Sequence, residues 1–171
     1  MRSFIAGVAC GALATLLVIA AAVVLWPWRV EATATANKAE LVLMRSVLNR
    51  AVARDAPHLT NPLPPSHDNL REGLRLFRDN CAGCHGDGAH HSPWGTTSFL
   101  PRVPQFGTEP PTRPDWEIHW IVTHGIRNTA MGSFAQLLTD DQVWKVSVFV
   151  SRIRSLPEGV AVEWRRAGPG T

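Results

Sequence analysis

Cysteine is scarce in this chain, three in 171 residues. Cys81 and Cys84 share one short motif and Cys10 lies in an apolar run, so no disulfide framework is available to hold a fold together. Charge is sparse too, at 18% of residues. Between residues 66 and 156 the two signs are equal, nine Lys and Arg against nine Asp and Glu, so this stretch lacks the strong basic face of a protein that steers partners over long range. Nothing suggests nucleic-acid binding, a phosphate loop or a hydrolytic triad, and no substrate pocket for a small molecule is signposted. Methionine occurs three times: Met1 starts the chain, Met44 sits in an extension, and Met131 stands alone between 66 and 156. A length of 171 residues that is 45% apolar fits one compact domain with extensions rather than two full cores.

What is present begins with Cys81-Ala82-Gly83-Cys84-His85. Two thiols three residues apart reach the two vinyl groups of one porphyrin, while the adjacent imidazole rises beneath the metal as its ligand. The motif therefore predicts one covalently bound haem c, with Cys81 and Cys84 forming the thioethers and His85 the proximal ligand. The competing reading is a zinc knuckle completed by His85, His90 or His91, although no second well-spaced ligand pair stands elsewhere.

The N-terminus sets the compartment. From Phe4 to Trp26 the chain runs 23 residues without a charge, which at ~1.5 Å per residue crosses a hydrocarbon core of about 30 Å. Trp26, Pro27, Trp28 and Arg29 read as the interfacial belt beyond it. An uncleaved anchor is the expectation; the alternative is a signal peptide cut at Ala32-Thr33-Ala34 or Ala34-Thr35-Ala36, whose apolar region would usually be only about 7 to 15 residues. A lipid-modified Cys10 is excluded because the long apolar run follows it. Because c-type haem is attached outside the bacterial cytoplasmic membrane, the C-terminal bulk is expected in the periplasm. The expected organisation is an anchor at 1–28, an amphipathic helix and Pro-rich linker at 29–65, a haem domain at 66–156 and a tail at 157–171.

Helix signals fill these bounds. Asn37 caps an amphipathic helix to Asp55 whose stripe is Leu41, Met44, Leu48 and Val52; it either packs on the haem domain or docks a partner or the membrane surface. Four prolines between 57 and 65 stop it. A helix starting near Ser66 to Asp68 buries Leu70, Leu74 and Phe77, with Gly73 allowing another helix close. Asp115 is expected to cap a wall helix that carries Ile118, Trp120, Ile121 and Val122 and ends at Gly125. Thr139 with Gln142 forms a capping box before Val143, Val146, Val150 and Ile153, and that stripe stops at Leu156-Pro157. Between motif and wall helix, a proline-rich loop offers Trp94, Phe99 and Phe106 as haem cover, and Arg102 or Arg113 either to a propionate or to solvent.

The run Asp68 to Phe77 leading into Cys81-Ala82-Gly83-Cys84-His85-Gly86-Asp87-Gly88, then Gly125 to Met131 before a last helix, resembles class I monohaem cytochrome c of the membrane-anchored bacterial type. The likeness spans roughly Asp68 to Leu156. It implies an all-α fold of three to four helices around one haem, in which the first and last helices cross beside it. It also implies Met131 as distal iron ligand and a role in single-electron transfer. Family members often carry proline after that methionine, where Gly132 stands here, so a looser loop is expected.

Independently, Met131 offers a flexible thioether in a Gly- and Ser-containing loop. Its alternatives are a core filler, or bis-histidine ligation through His90, His91, His119 or His124. Three function classes follow. An electron carrier needs two ligands that stay, met by His85 and Met131; a peroxidase-like enzyme needs an open distal side with an acid/base group such as His124; a subunit of a larger membrane oxidoreductase complex needs a docking element such as residues 37–55. Electron transfer is the expectation, with an oxidase, a dehydrogenase or a quinol-oxidising complex as redox partner.

Overall fold

The charge-free run folds as α1, Arg2–Leu25, in the computed structural model, which describes residues 2–25 and 30–166. Residues 1–31 and 32–171 form two separate units. In the first, Ser3–Leu25 is long and apolar enough to cross a bilayer, and side chains such as Phe4, Leu16 and Val18 are exposed all round the helix. Trp26, Pro27, Trp28 and Arg29, the expected interfacial belt, lie outside the described residues.

The second unit opens with α2, Lys38–Asp55, capped by Asn37, whose side chain accepts from the Ala39 amide at 2.9 Å. Its stripe is covered unevenly: Val52 is fully buried and Leu41 and Leu48 half-buried, whereas Met44 is exposed with Val42, Leu43 and Val47. Five more α-helices follow: α3 (His67–Asn80), α4 (Ala82–His85), α5 (Pro93–Thr97), α6 (Asp115–His124) and α7 (Asp140–Ser151). After the short 3-10 turn Ile153–Ser155 comes α8, Glu158–Arg165, and every regular element among the described residues is helical.

The core forms where α3 crosses α7 and α6 lies against α7. Leu70, Leu74 and Phe77 from α3 meet Val143, Val146, Phe149 and Val150 from α7, with Ile118 and Val122 from α6. Burying each of these side chains contributes about 1.5–3 kcal/mol, enough for the crossing to organise the domain. The local signals for α3 and α7 act as read: Ser66 Oγ accepts from the Asn69 amide at 3.2 Å, and Thr139 and Gln142 close a reciprocal capping box.

Two expectations change. Asp115 is not the cap of α6; Pro114 holds that position and Asp115 is the first helical residue, its carboxylate accepting from Asn61 Nδ2 at 3.2 Å. Pro114, with extended backbone, takes the cap position, so the helix starts one residue earlier than a capping Asp115 would place it. Residues 158–165, expected as part of a tail, instead form a helix that packs on the core. Pro157 initiates α8, and Val160, Ala161 and Trp164 are buried because the α3/α7 core leaves Phe77 and Phe149 in need of cover.

Candidate haem-binding site

The last turn of α3 runs into the motif. The Cys81 amide donates to Phe77 O at 2.7 Å, and the amides of Cys84 and His85 donate to Cys81 O at 3.0 and 2.9 Å. This single turn puts residues three and four apart on one side, so Cys81, Cys84 and His85 share a face. Gly86 and Gly88, both in the left-handed region at φ 76° and 89°, then carry the chain away, while Asp87 Oδ1 accepts from the amides of Ala89 and His90.

His85 is fixed at two points. Its Nδ1 donates to the Pro104 carbonyl at 2.9 Å, which leaves Nε2 for a metal, and its ring stacks on Phe106 with centroids 4.2 Å apart. Burial draws its pKa below the ordinary imidazole range, against the opposing contact with Pro104, so the ring is the neutral form that ligates. Burial, with a smaller contribution from Cys84, pushes the Cys81 thiol up to about 12, and burial also raises Cys84. Zinc would need thiolates here. Among the described residues no three or more His, Cys, Asp or Glu side chains gather to hold a metal ion.

The loop after the motif wraps back on it. Gln105 Nε2 donates to the carbonyls of Cys84 (3.0 Å) and Val103 (2.9 Å), its Oε1 accepts from the Ser92 amide at 2.7 Å, and Ser92 Oγ donates to Gly83 O at 2.5 Å. Gly95 sits so close to Cys84 that a Cβ would run into its carbonyl. Gln105 escaped sequence reasoning; its one signal was a polar residue between Pro104 and Phe106 in an otherwise apolar stretch.

Met131 lies on the loop that follows α6. Gly125, at φ 70°, ends α6 against the backbone of residues 131–133. The loop is stitched to that helix end by Ile126 N to Met131 O (2.8 Å), Ser133 Oγ to Thr123 O (2.6 Å) and Phe134 N to Val122 O (3.0 Å), so Gly132 does not leave it loose. Met131 is half-buried and packs on the same core cluster as Cys81, Ala82 and Phe106.

The rival histidines are engaged elsewhere: His90 pairs with Asp87, His91 with Thr108, His119 with Asp140 at 2.8 Å and against Trp144, and His124 with Trp120. Arg113, weighed as a propionate partner, instead ties Glu117 of α6 to Asn49 of α2. Arg102 is held by the carbonyls of Thr97, Phe99 and Thr33. Of the three side chains expected to cover a haem edge, Phe106 packs on the core cluster, whereas Trp94 is exposed and meets Phe99 edge-on at 4.8 Å. One turn bearing two thiols and an oriented neutral imidazole, beside an apolar wall that also receives a thioether, fits a covalently held haem.

Known proteins resemble this chain in sequence. Residues 68–150 match the family described as Cytochrome C oxidase, cbb3-type, subunit III. The chain is 33% identical over 82 residues to cytochrome c6 of Parathermosynechococcus lividus and, equally, to that of Synechococcus elongatus, covering 48% of this chain and 87% of each relative. A chain of the Kuenenia stuttgartiensis reducing HAO-like protein complex aligns at a TM-score of 0.43 with 22% identity, over 67% of this chain and 60% of that one.

Proposed function

This chain belongs to the class I cytochrome c family, c-type cytochromes of electron transfer, and on that premise we propose that it is a membrane-anchored one-electron carrier. It holds one haem c through thioethers from Cys81 and Cys84, with His85 as proximal and Met131 as distal ligand. The observation that carries the reading is the convergence of the motif turn and the methionine loop on one core cluster. When bound, the haem iron supplies reversible Fe(III)/Fe(II) chemistry.

The protein's part is orientation and dielectric. Pro104 and Phe106 hold the His85 ring, and the Met131 thioether favours the ferrous state relative to a second imidazole. The fully buried Phe77 and Phe149 exclude water, which disfavours the extra ferric charge. His124, the acid/base candidate of a peroxidase reading, donates from Nδ1 to its own helix at Trp120 O and stacks on that indole.

α1 anchors the chain in the bacterial cytoplasmic membrane as a single span, with the haem domain in the periplasm. Tethering raises the effective concentration of partners, so a domain with balanced charge needs little steering. The partners are redox proteins: an oxidase, a dehydrogenase or a quinol-oxidising complex. A second reading, a resident subunit of such a complex, is favoured by the family match over 68–150 together with the exposed Val42, Leu43, Met44 and Val47 of α2. Mild solubilisation and native gel electrophoresis separate the two: a subunit migrates with a larger haem-bearing complex, a carrier migrates alone.

The ligand set is tested by visible and near-infrared spectra of wild type and Met131→Ala, after a pyridine haemochrome assay for covalent haem. The expected result is a weak ferric band of methionine ligation that the substitution abolishes. A high-spin wild type, or an unaltered variant, would remove Met131 from the iron.

A further inference from the structure

We propose that α8 is a clamp on the proximal side of the haem site, and that Trp164 is a positioning residue for His85 acting through Phe106 and the segment beside it. The inference rests on His85 as proximal ligand. It concerns a helix outside the 68–150 family match.

The His85 ring takes its orientation from Pro104 O and the face of Phe106, two groups only two residues apart on one strand of loop. Anything that fixes that segment fixes the imidazole. Two routes lead from it to Trp164. Through the backbone, Gly107 lies against Gly88, where an added Cβ would stand 3.1 Å from Gly88 O. Gly88 in turn lies against the indole, where an added Cβ would stand 2.5 Å from Trp164 Cδ2 and Cε2. Through side chains, Phe106 stacks on Phe77 at 5.8 Å, and Phe77 meets Trp164 edge-on at 5.5 Å. Phe149 braces the indole from a third side at 5.4 Å. One ring thus backs both supports of the ligand.

Trp164 is held in place in its turn. It is 5% exposed. Its helix is latched to α3 by Arg71 Nε to Glu163 Oε1 at 2.9 Å, and by Arg78 Nη2 donating to Glu163 O at 2.5 Å and Arg166 O at 3.0 Å. The Arg78 guanidinium on the last carbonyls of α8 also complements its dipole. The expected consequence is a shielded Nδ1–H···O=C bond at His85, and that bond sets the basicity of the ligand.

The test uses the full-length holoprotein and proton NMR of the ferrous state, reading solvent exchange of His85 Nδ1–H. Trp164→Ala should speed exchange about tenfold or more by local opening, Trp164→Phe less, and Glu163→Gln, which loosens the latch while keeping the indole, measurably. Val160→Ala, which thins the same helix at a fully buried site, is the control for stability alone. Trp164 variants that exchange no faster than Val160→Ala would overturn the proposal and leave α8 as core cover. If Trp164→Ala fails to take up haem, Trp164→Phe and Glu163→Gln carry the comparison. A wild type without ring-current-shifted His85 protons would overturn the ligand assignment itself, a separate and recognisable failure.

Discussion

Gly73 of α3 and Phe149 of α7 meet with no space between them: a Cβ added to Gly73 would stand 2.8 Å from Phe149 Cβ and would also run into the Lys145 carbonyl. The two helices cross here on a bare backbone. Gly73→Ala gains helix propensity of about 0.5–1 kcal/mol but must separate the helices, for which overpacking costs about 1–3 kcal/mol. The expected net effect is destabilisation, read as a lower denaturant midpoint with an unchanged slope; a midpoint at or above wild type would refute the close crossing.

Thr139 and Gln142 cap α7 reciprocally, at 3.3 Å and 2.9 Å. Thr139→Ala should cost about 1 kcal/mol while leaving the haem spectrum unchanged, because the cap lies on the exposed end of the helix. Chemical denaturation followed by both far-UV circular dichroism and haem absorbance checks both parts.

The proposed attachment gives each of the two thiols its own bond. Cys81→Ala and Cys84→Ala should each retain haem through one thioether, and the double substitution should release it into acidified acetone. Retention of extractable-resistant haem in the double variant would contradict covalent attachment at this motif.

Met131→His should keep a low-spin iron and lower the midpoint potential, since imidazole stabilises the ferric state better than thioether does. Spectroelectrochemistry against wild type reads the direction. A potential equal to wild type would mean that Met131 is not the sixth ligand.

A chain starting at Val30 should fold, take up haem and remain in the aqueous phase, because the second unit, residues 32–171, holds the whole core cluster. The full chain should stay with membranes through a high-salt wash. Mass spectrometry of the mature protein decides between anchor and signal peptide: an intact N-terminus supports the first, a cut near Ala34 or Ala36 the second.

What was legible from the chain alone was local. Asn37, Ser66 and the Thr139/Gln142 pair announce helix starts because a cap involves neighbours two or three residues away. The stripes of α3 and α7 report a buried face for the same reason. The motif is legible because its chemistry is a matter of spacing. Asp115 was misplaced by one residue because Pro114, not a side-chain oxygen, sets how the chain enters α6. α8 was hidden because Pro157 reads as a stop and eight residues make a short stripe.

The amino-acid sequence by itself determined that this chain carries an apolar N-terminal span, a pair of thiols with an adjacent imidazole, and helices whose apolar faces had to meet, since all of these depend on composition and short-range spacing. Only the tertiary structure decided that Arg113 braces α2 against α6, that Gln105 locks the motif, and that Trp164 packs against Phe77 and Phe149. Those contacts join residues tens of positions apart, and which distant groups meet is settled by packing around Phe77 and Phe149, not by any neighbour in the chain.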